Sequence, residues 1–348
     1  MKKLFLMGIA LLLVLAGCSK ESREELRVFN WGAYIDESVI TDFENKFNVK
    51  VIYDTFESNE IMYTKLQDGS KYDILIPSDY MIQRLNDEGR LQELDYSKIP
   101  NYSNVMNSLK EPHFDPENKY SVPYFWGNVG LLYNPEVVAL SELEAQGWNV
   151  LTNEKYQDNL FFYDSERDAF MVALKALGYS MNTTEPAELE AAYQWLIDMK
   201  KSMKPVYVTD QVIDNMESGI KDLAVMYSGD ANYIMSVNEE LEYFVPEQGT
   251  NFWLDAMVIP DNALNVDLAH EWINYMLEPE VSQLITEEVG YTSPIQSVID
   301  AVTGPGGAYE GISSYVPRID FPSDEEFIYD ADLKVIMSEY WNRVITTQ

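Results

Sequence analysis

Between Leu26 and Pro77 the residue pattern switches repeatedly between two periods, and this switching restricts the possible folds more than any other feature. Residues 26–31 read as a strand. Residues 36–47 read as a helix capped by Asp36, with Val39, Ile40, Phe43 and Phe47 at helical spacing. Residues 49–55 alternate as a second strand, residues 59–66 read as a helix, and residues 72–77 are an apolar strand stopped by Pro77-Ser78. This β-α-β-α-β order predicts an α/β fold, a parallel sheet with helices on its faces. Ligands of such sheets sit beyond the carboxyl ends of the strands. Trp31 and Tyr34 follow the first strand, Ser78 and Tyr80 the third, so these four side chains share one rim. Loop aromatics that merely cover the sheet end would give the same pattern.

Later segments repeat the theme. Residues 120–134 lead into a second unit, with Pro123 as punctuation and residues 129–133 as a strand. A short strand over 160–163 precedes the acid-rich start Asp164 to Asp168 of a helix that ends at Gly178, and carboxylates in a first helical turn suit the helix dipole. An amphipathic helix covers 185–199, entered through a Thr183-Thr184 capping box. Residues 222–227 form a strand that runs into Ser228-Gly229-Asp230, residues 263–277 a helix with Asn274 and Glu271 toward water, and residues 332–344 the last helix. Gly304 to Gly307 reads as flexible punctuation, a linker or crossover.

Residues 251–260, NFWLDAMVIP, carry the most chemical content. On a strand Phe252 and Leu254 face a core while Trp253 and Asp255 share the other side. An indole face beside a carboxylate suits an organic cation, because the ring attracts ammonium and the acid accepts its hydrogen bond. A half-buried aromatic beside a solvated acid is the plainer alternative.

The chain has 348 residues, enough for two domains, and 58 Asp and Glu against 24 Lys and Arg, a formal net charge of −34. Phosphate backbones would be repelled, so nucleic acid is not an expected partner. Lys2 and Lys3 precede an apolar run from Leu4 to Leu15 that ends in Leu-Ala-Gly-Cys18, which reads as a lipoprotein export signal over 1–17. Cys18, the only cysteine, would carry the lipid and tether the protein through residues 18–25 to the outer face of the cytoplasmic membrane or in the periplasmic space. No disulfide can then form within one chain. His113 and His270 lack metal-ligand spacing, and no Gly-x-Ser-x-Gly, Walker or dinucleotide motif occurs, so no metal, cofactor or catalytic residue is expected.

The segments FNWGAYI (29–35), YDTFESNEIMYTKL (53–66), YDILIPSDY (72–80), YSVPYFWGNVG (120–130), ALGYSMNTTEPAELEAAY (176–193), FWLDAMVIP (252–260) and GYTSP (290–294) together resemble the spermidine/putrescine-binding family of bacterial polyamine ABC importers, the PotD type. The resemblance implies a two-domain periplasmic-binding-protein fold of class II, each domain a mainly parallel sheet flanked by helices, with the ligand between them. Domain 1 would comprise 26–127 plus 256–305 and domain 2 would comprise 128–255 plus 306–348. It further implies that Trp31, Tyr34, Ser78, Tyr80 and Tyr291 line the cleft from the first domain, Ser165, Asp168, Thr209 and Tyr227 from the second, with Trp253 and Asp255 near the crossover. Asp255 would hold the central ammonium and Asp168 a terminal one.

Three departures from the family pattern stand out. The paired acids appear as Ser165 and Asp168, leaving one carboxylate to be supplied by Asp164 or Glu166. A wall tryptophan appears as Tyr227, and a C-terminal glutamine aligns with Phe327, with Glu325 or Glu326 as substitutes. The function implied is a monomeric, non-enzymatic receptor that hands polyamine to ABC permease subunits. A same-fold receptor for another solute and an extracellular carbohydrate-active enzyme are the alternatives.

Overall fold

The computed structural model describes residues 23–347, so the export segment and Cys18 lie outside the described residues. The first half of the chain forms β1 (Glu25–Trp31), α1 (Glu37–Phe47), β2 (Lys50–Phe56), α2 (Asn59–Gln67), β3 (Ile74–Leu75), α3 (Asp79–Asp87), β4 (Ser121–Tyr133), α4 (Leu140–Gln146), β5 (Phe161–Tyr163) and α5 (Glu166–Leu177). There follow α6 (Pro186–Met203), β6 (Val206–Val208), α7 (Gln211–Glu217), β7 (Leu223–Tyr227), α8 (Ser228–Val237), β8 (Glu242–Phe244) and β9 (Phe252–Val258). Helices α9 (Val266–Met276), α10 (Pro279–Val289), α11 (Gln296–Thr303) and α12 (Ala331–Thr346) complete the order.

Local chemistry accounts for the opening elements. The Asp36 side chain accepts the Ser38 N–H at 2.7 Å to start α1, and Asn48, in the left-handed region at φ 54°, ends it. Such an N-cap contributes about 1 kcal/mol. The buried Val39 and Phe43 seat α1 on the sheet, where Phe43 meets the fully buried Trp272 of α9 edge-on at 4.9 Å.

Strand order is β2-β1-β3-β9-β4-β7-β5-β6, with β8 also on β4. Two parallel ladders lie toward its ends: β1 pairs parallel with β2 and β3, and β5 with β6 and β7. Antiparallel strands join them. The front of β4 pairs with β9 from Ser121 to Asn128, and its end from Val129 to Tyr133 pairs with β7. All thirteen residues of β4 are buried, as expected of a strand covered on both faces. The result is a two-lobed α/β molecule with its cleft where β4 and β9 pass from one ladder to the other.

Four readings of the sequence need correction. Pro123 does not interrupt the strand but lies inside β4, where a register shift between Pro123 and Phe125 absorbs the missing N–H. Helix α6 begins at Pro186 without a capping side chain, and the Thr183 hydroxyl instead accepts the Glu185 N–H at 3.1 Å just outside it. Asn274 is half-buried rather than turned out to water: its side chain accepts the Asn101 N–H at 2.9 Å and ties α9 to the loop below. Residues 304–307 are a tight turn that ends α11, since Gly307 N–H bonds Gly304 C=O and Tyr309 N–H reaches back to Val302 C=O at 2.8 Å. His270 is a satisfied core residue, its Nε2 accepting the Asp95 N–H at 2.9 Å and its Nδ1 lying 2.7 Å from the Val266 carbonyl.

Candidate ligand-binding site

A cavity of about 350 Å³ lies between the lobes at the strand ends. Its floor is β9. Trp253 and Asp255 project into it from alternate positions, while Phe252 packs beside Trp126, with ring centroids 5.6 Å apart. Glycine makes room for the indole, because Gly127 is the cross-strand neighbour of Trp253 and a Cβ there would stand 2.5 Å from the ring. Tyr291 is seated the same way. A Cβ at Gly229 would meet its ring at 2.2 Å.

Three buried carboxylates in the cavity each accept a hydrogen bond from a tyrosine. Tyr34 donates to Asp255 at 2.9 Å, Tyr227 to Asp168 at 2.7 Å and Tyr291 to Asp230 at 2.8 Å. The rings themselves form a row: Tyr34 to Tyr291 at 4.8 Å, Tyr291 to Trp253 at 5.6 Å, Trp253 to Tyr227 at 6.1 Å and Tyr227 to Tyr163 at 4.8 Å, all near edge-to-face. Edge-to-face packing leaves ring faces, where the π-electron density lies, available to a cation.

Burial dominates the electrostatics. It pushes the Asp255 carboxyl up to about 7, and the Ser78 and Tyr34 hydroxyls offset only part of that rise. Asp230 also rises to about 7 through burial, with Tyr291 pulling it down and the neighbouring Asp210 pushing it up. Asp79 is pushed up to about 8 by burial, against one backbone hydrogen bond from Tyr80. Asp168 is raised by burial too, against hydrogen bonds from Tyr227, Ser165 and Asn251 and the charge of Arg167. One oxygen of Asp255 and one of Asp79 have no protein partner, and neither does Trp253 Nε1. The lining holds nine carboxylates and a single basic residue, Arg167, so it favours a cationic guest over an anionic one.

A model of the bacterial extracellular solute-binding proteins matches residues 38–306. The chain belongs to that family. This solute-binding protein is 35% identical over 290 residues to the spermidine/putrescine-binding periplasmic protein of Salmonella typhimurium, covering 82% of each chain. Among solved structures it superposes on PotD, the spermidine/putrescine ABC transporter substrate-binding protein of Streptococcus pneumoniae, with a TM-score of 0.77 at 34% identity, covering 92% of this chain and 98% of that one. The TpPotD lipoprotein of Treponema pallidum gives the same TM-score at 27% identity, covering 92% and 99%. Members of the family bind solutes for transport and are not enzymes. Among the described residues no helix is long and apolar enough to cross a membrane.

All eleven residues anticipated for the cleft line the one cavity: Trp31, Tyr34, Ser78, Tyr80, Ser165, Asp168, Thr209, Tyr227, Trp253, Asp255 and Tyr291. Their situations differ. Ser165 is the N-cap of α5, its hydroxyl accepting the Asp168 N–H, and Thr209 donates to Gln211 at 3.0 Å. Asp164 accepts from Trp341 Nε1 at 3.1 Å and Glu166 from the Ser338 hydroxyl at 2.7 Å, so both already serve α12. Glu325 and Glu326 are not substitutes for the missing glutamine, because Glu325 pairs with the buried Lys175 and Glu326 with His113. Phe327 does line the cavity.

Asp230, Arg167 and Tyr163 escaped the sequence reading. The first and last were within reach of the strand-end rule, since Asp230 follows β7 and Tyr163 ends β5. Arg167 carried no such signal, because an arginine in the first turn of a helix ordinarily points to solvent.

Proposed function

We propose that this protein is a receptor for polyamines, putrescine or spermidine, which it captures outside the cytoplasmic membrane and delivers to the permease subunits of an ABC importer. The observation that carries the reading is the set of tyrosine-bonded, buried carboxylates spaced along a row of rings. A polyamine is a flexible methylene chain with spaced ammonium groups. Burying each charge requires a carboxylate or several oxygens, and each methylene run requires a flat apolar wall. Asp255 takes an internal or first ammonium beside the Trp253 face. Asp168 and Asp230 take further ammonium groups along the cleft, and Trp31, Tyr34, Tyr80, Tyr227 and Tyr291 form the walls, with Ser78, Ser165 and Thr209 at their edges. Each oxygen on Asp255 or Asp79 that lacks a protein partner is a seat for an N–H of the guest.

Lobe 1 in this reading comprises residues 26–127 plus 256–305, and lobe 2 residues 128–255 plus 306–348. Closure of the two around the ligand follows from ligand contacts that exist on both sides only in the closed state. Cys18 carries the lipid that holds the monomer at the membrane surface, with residues 18–25 as tether. The likeness to the TpPotD lipoprotein of Treponema pallidum supports this. Names of the relatives support the choice of polyamine over a sugar or amino acid.

Titration calorimetry with putrescine, spermidine and a neutral diol control, on the wild type and on Asp255→Asn, tests the reading. One-to-one binding of an amine, lost or strongly weakened in the variant, is the expected result. Absence of heat with every amine tested would refute it.

A further inference from the structure

Residues 325–329 cross the cleft as an extended strap with no helix or long ladder to hold them. One end is fastened beside α5. Glu325 bridges to Asn251, its carbonyl accepting the Phe252 N–H at 2.7 Å and its N–H donating to Thr250 C=O at 3.0 Å, while its carboxylate pairs with the buried Lys175. Asn182 holds the next residues, donating to the Glu326 carbonyl at 2.8 Å and accepting the Ile328 N–H at 3.0 Å. The other end reaches α3, on the opposite lobe. The Tyr329 N–H donates to Gln83 Oε1 at 2.8 Å, the Arg84 guanidinium lies 5.2 Å from the Tyr329 ring, and Glu326 meets His113. Between these ends Phe327 turns inward, edge-on to Tyr80 at 6.3 Å.

Arg167 sits beneath that contact. Its guanidinium is 3.7 Å from the Tyr80 ring centre and 5.8 Å from Phe327, the residue is 6% exposed, and its Nε and Nη2 have no hydrogen-bond partner. No carboxylate fixes it to its own helix by an ion pair among the described residues. It is buried because Tyr80 from one lobe and Phe327 from the strap come over it.

We propose that the strap is a clasp, with Gln83 and Tyr329 as positioning residues that set how firmly the lobes stay closed without touching the ligand. This inference rests on the receptor reading above. Neither Gln83 nor Tyr329 lines the cavity. A contact made only in the closed state changes the fraction of closed protein, and the apparent affinity for every ligand then changes by the same factor. A residue that touches the ligand instead changes the ratio between ligands.

The test measures putrescine and spermidine binding and release by calorimetry and stopped-flow fluorescence for wild type, Gln83→Ala, Tyr329→Ala and Ile328→Ser, on folded protein verified by thermal melts without ligand. Gln83→Ala and Tyr329→Ala are expected to weaken both ligands by one common factor of about 3–10, through faster release, with the exposed Ile328→Ser unchanged. Gln83→Ala alone decides the matter if Tyr329→Ala does not fold. Affinities within twofold of wild type, or a changed putrescine-to-spermidine ratio, overturn the clasp while leaving the receptor intact. Wild type that binds no amine overturns both.

Discussion

Asp73 and Asp115 are as deeply buried as Asp255 and Asp230, yet the two pairs are treated in opposite ways. Asp73 accepts three backbone N–H groups, from Arg27 at 2.9 Å and from Leu264 and Asn265 at 2.8 Å. Asp115 accepts the N–H groups of Lys119, Tyr120 and Ser121 and the Ser121 hydroxyl, all within 2.9 Å. These two acids tie loops to the sheet and saturate their oxygens with the chain's own donors. Asp255 has no backbone N–H donor among these contacts, only the Tyr34 hydroxyl with the Ser78 hydroxyl nearby, and keeps an oxygen without a protein partner. Asp230 likewise leans on one tyrosine. Burial alone therefore does not mark a binding carboxylate. A binding carboxylate is one whose donors are too few for its charge, so that a guest cation completes them.

Breaking each side of this contrast gives different outcomes. Asp255→Asn is expected to cost the largest amount, roughly 2–5 kcal/mol of polyamine affinity, or about one and a half to three and a half orders of magnitude by calorimetry, while the ligand-free melting temperature holds or rises. Asp115→Asn should do the reverse. Its amide donors would face backbone N–H groups, lowering stability by about 2–4 kcal/mol in urea unfolding while the folded fraction keeps its affinity.

A pH titration sharpens the same point with a smaller effect. Asp255 and Asp230, at about 7 in the ligand-free protein against an ordinary 3.8, hold more protons folded than unfolded between those values. Their contribution to stability is therefore greatest below pH 4 and is lost as pH rises through 7. An ammonium guest favours the ionised acids, so affinity should rise roughly thirtyfold from pH 5.5 to 8 for an acid that meets an ammonium, and level off above about 8. Binding near pH 6.5 should release protons, seen as calorimetric heats that vary with the ionisation enthalpy of the buffer. Tyr34→Phe gives the smallest change, about 1 kcal/mol of affinity, and raises the pH at which the plateau is reached because Asp255 loses one of the two hydroxyls that favour its ionised form.

Much of the site is legible in the order of residues. Helical and strand periods located β1, β2, α1, α2 and β9 to within a residue or two, and the rule that ligands sit at strand ends selected Trp31, Tyr34, Ser78 and Tyr80. Alternation on β9 put Trp253 beside Asp255. The reading failed where a side chain's partner lies far along the chain. Asn274 looked solvent-facing until Asn101 stood opposite it, and Glu325 looked available for an amine until Lys175, 150 residues away, closed on it. Pro123 failed for another reason: a proline forbids one ladder hydrogen bond, and a bulge can remove the need for that bond.

Periodicity, composition and ordered motifs are local properties of the chain, so the elements, the acidic and aromatic character of the cleft and the family are readable from residue order alone. Tertiary structure alone decided which carboxylates are satisfied and which are not. Hydrogen-bond supply at a buried oxygen depends on which distant backbone and side-chain donors arrive there, and that is a property of packing. Asp73 and Asp255 are the same residue type and became a loop anchor and a proposed ligand seat only when the sheet and the lobes assembled around them.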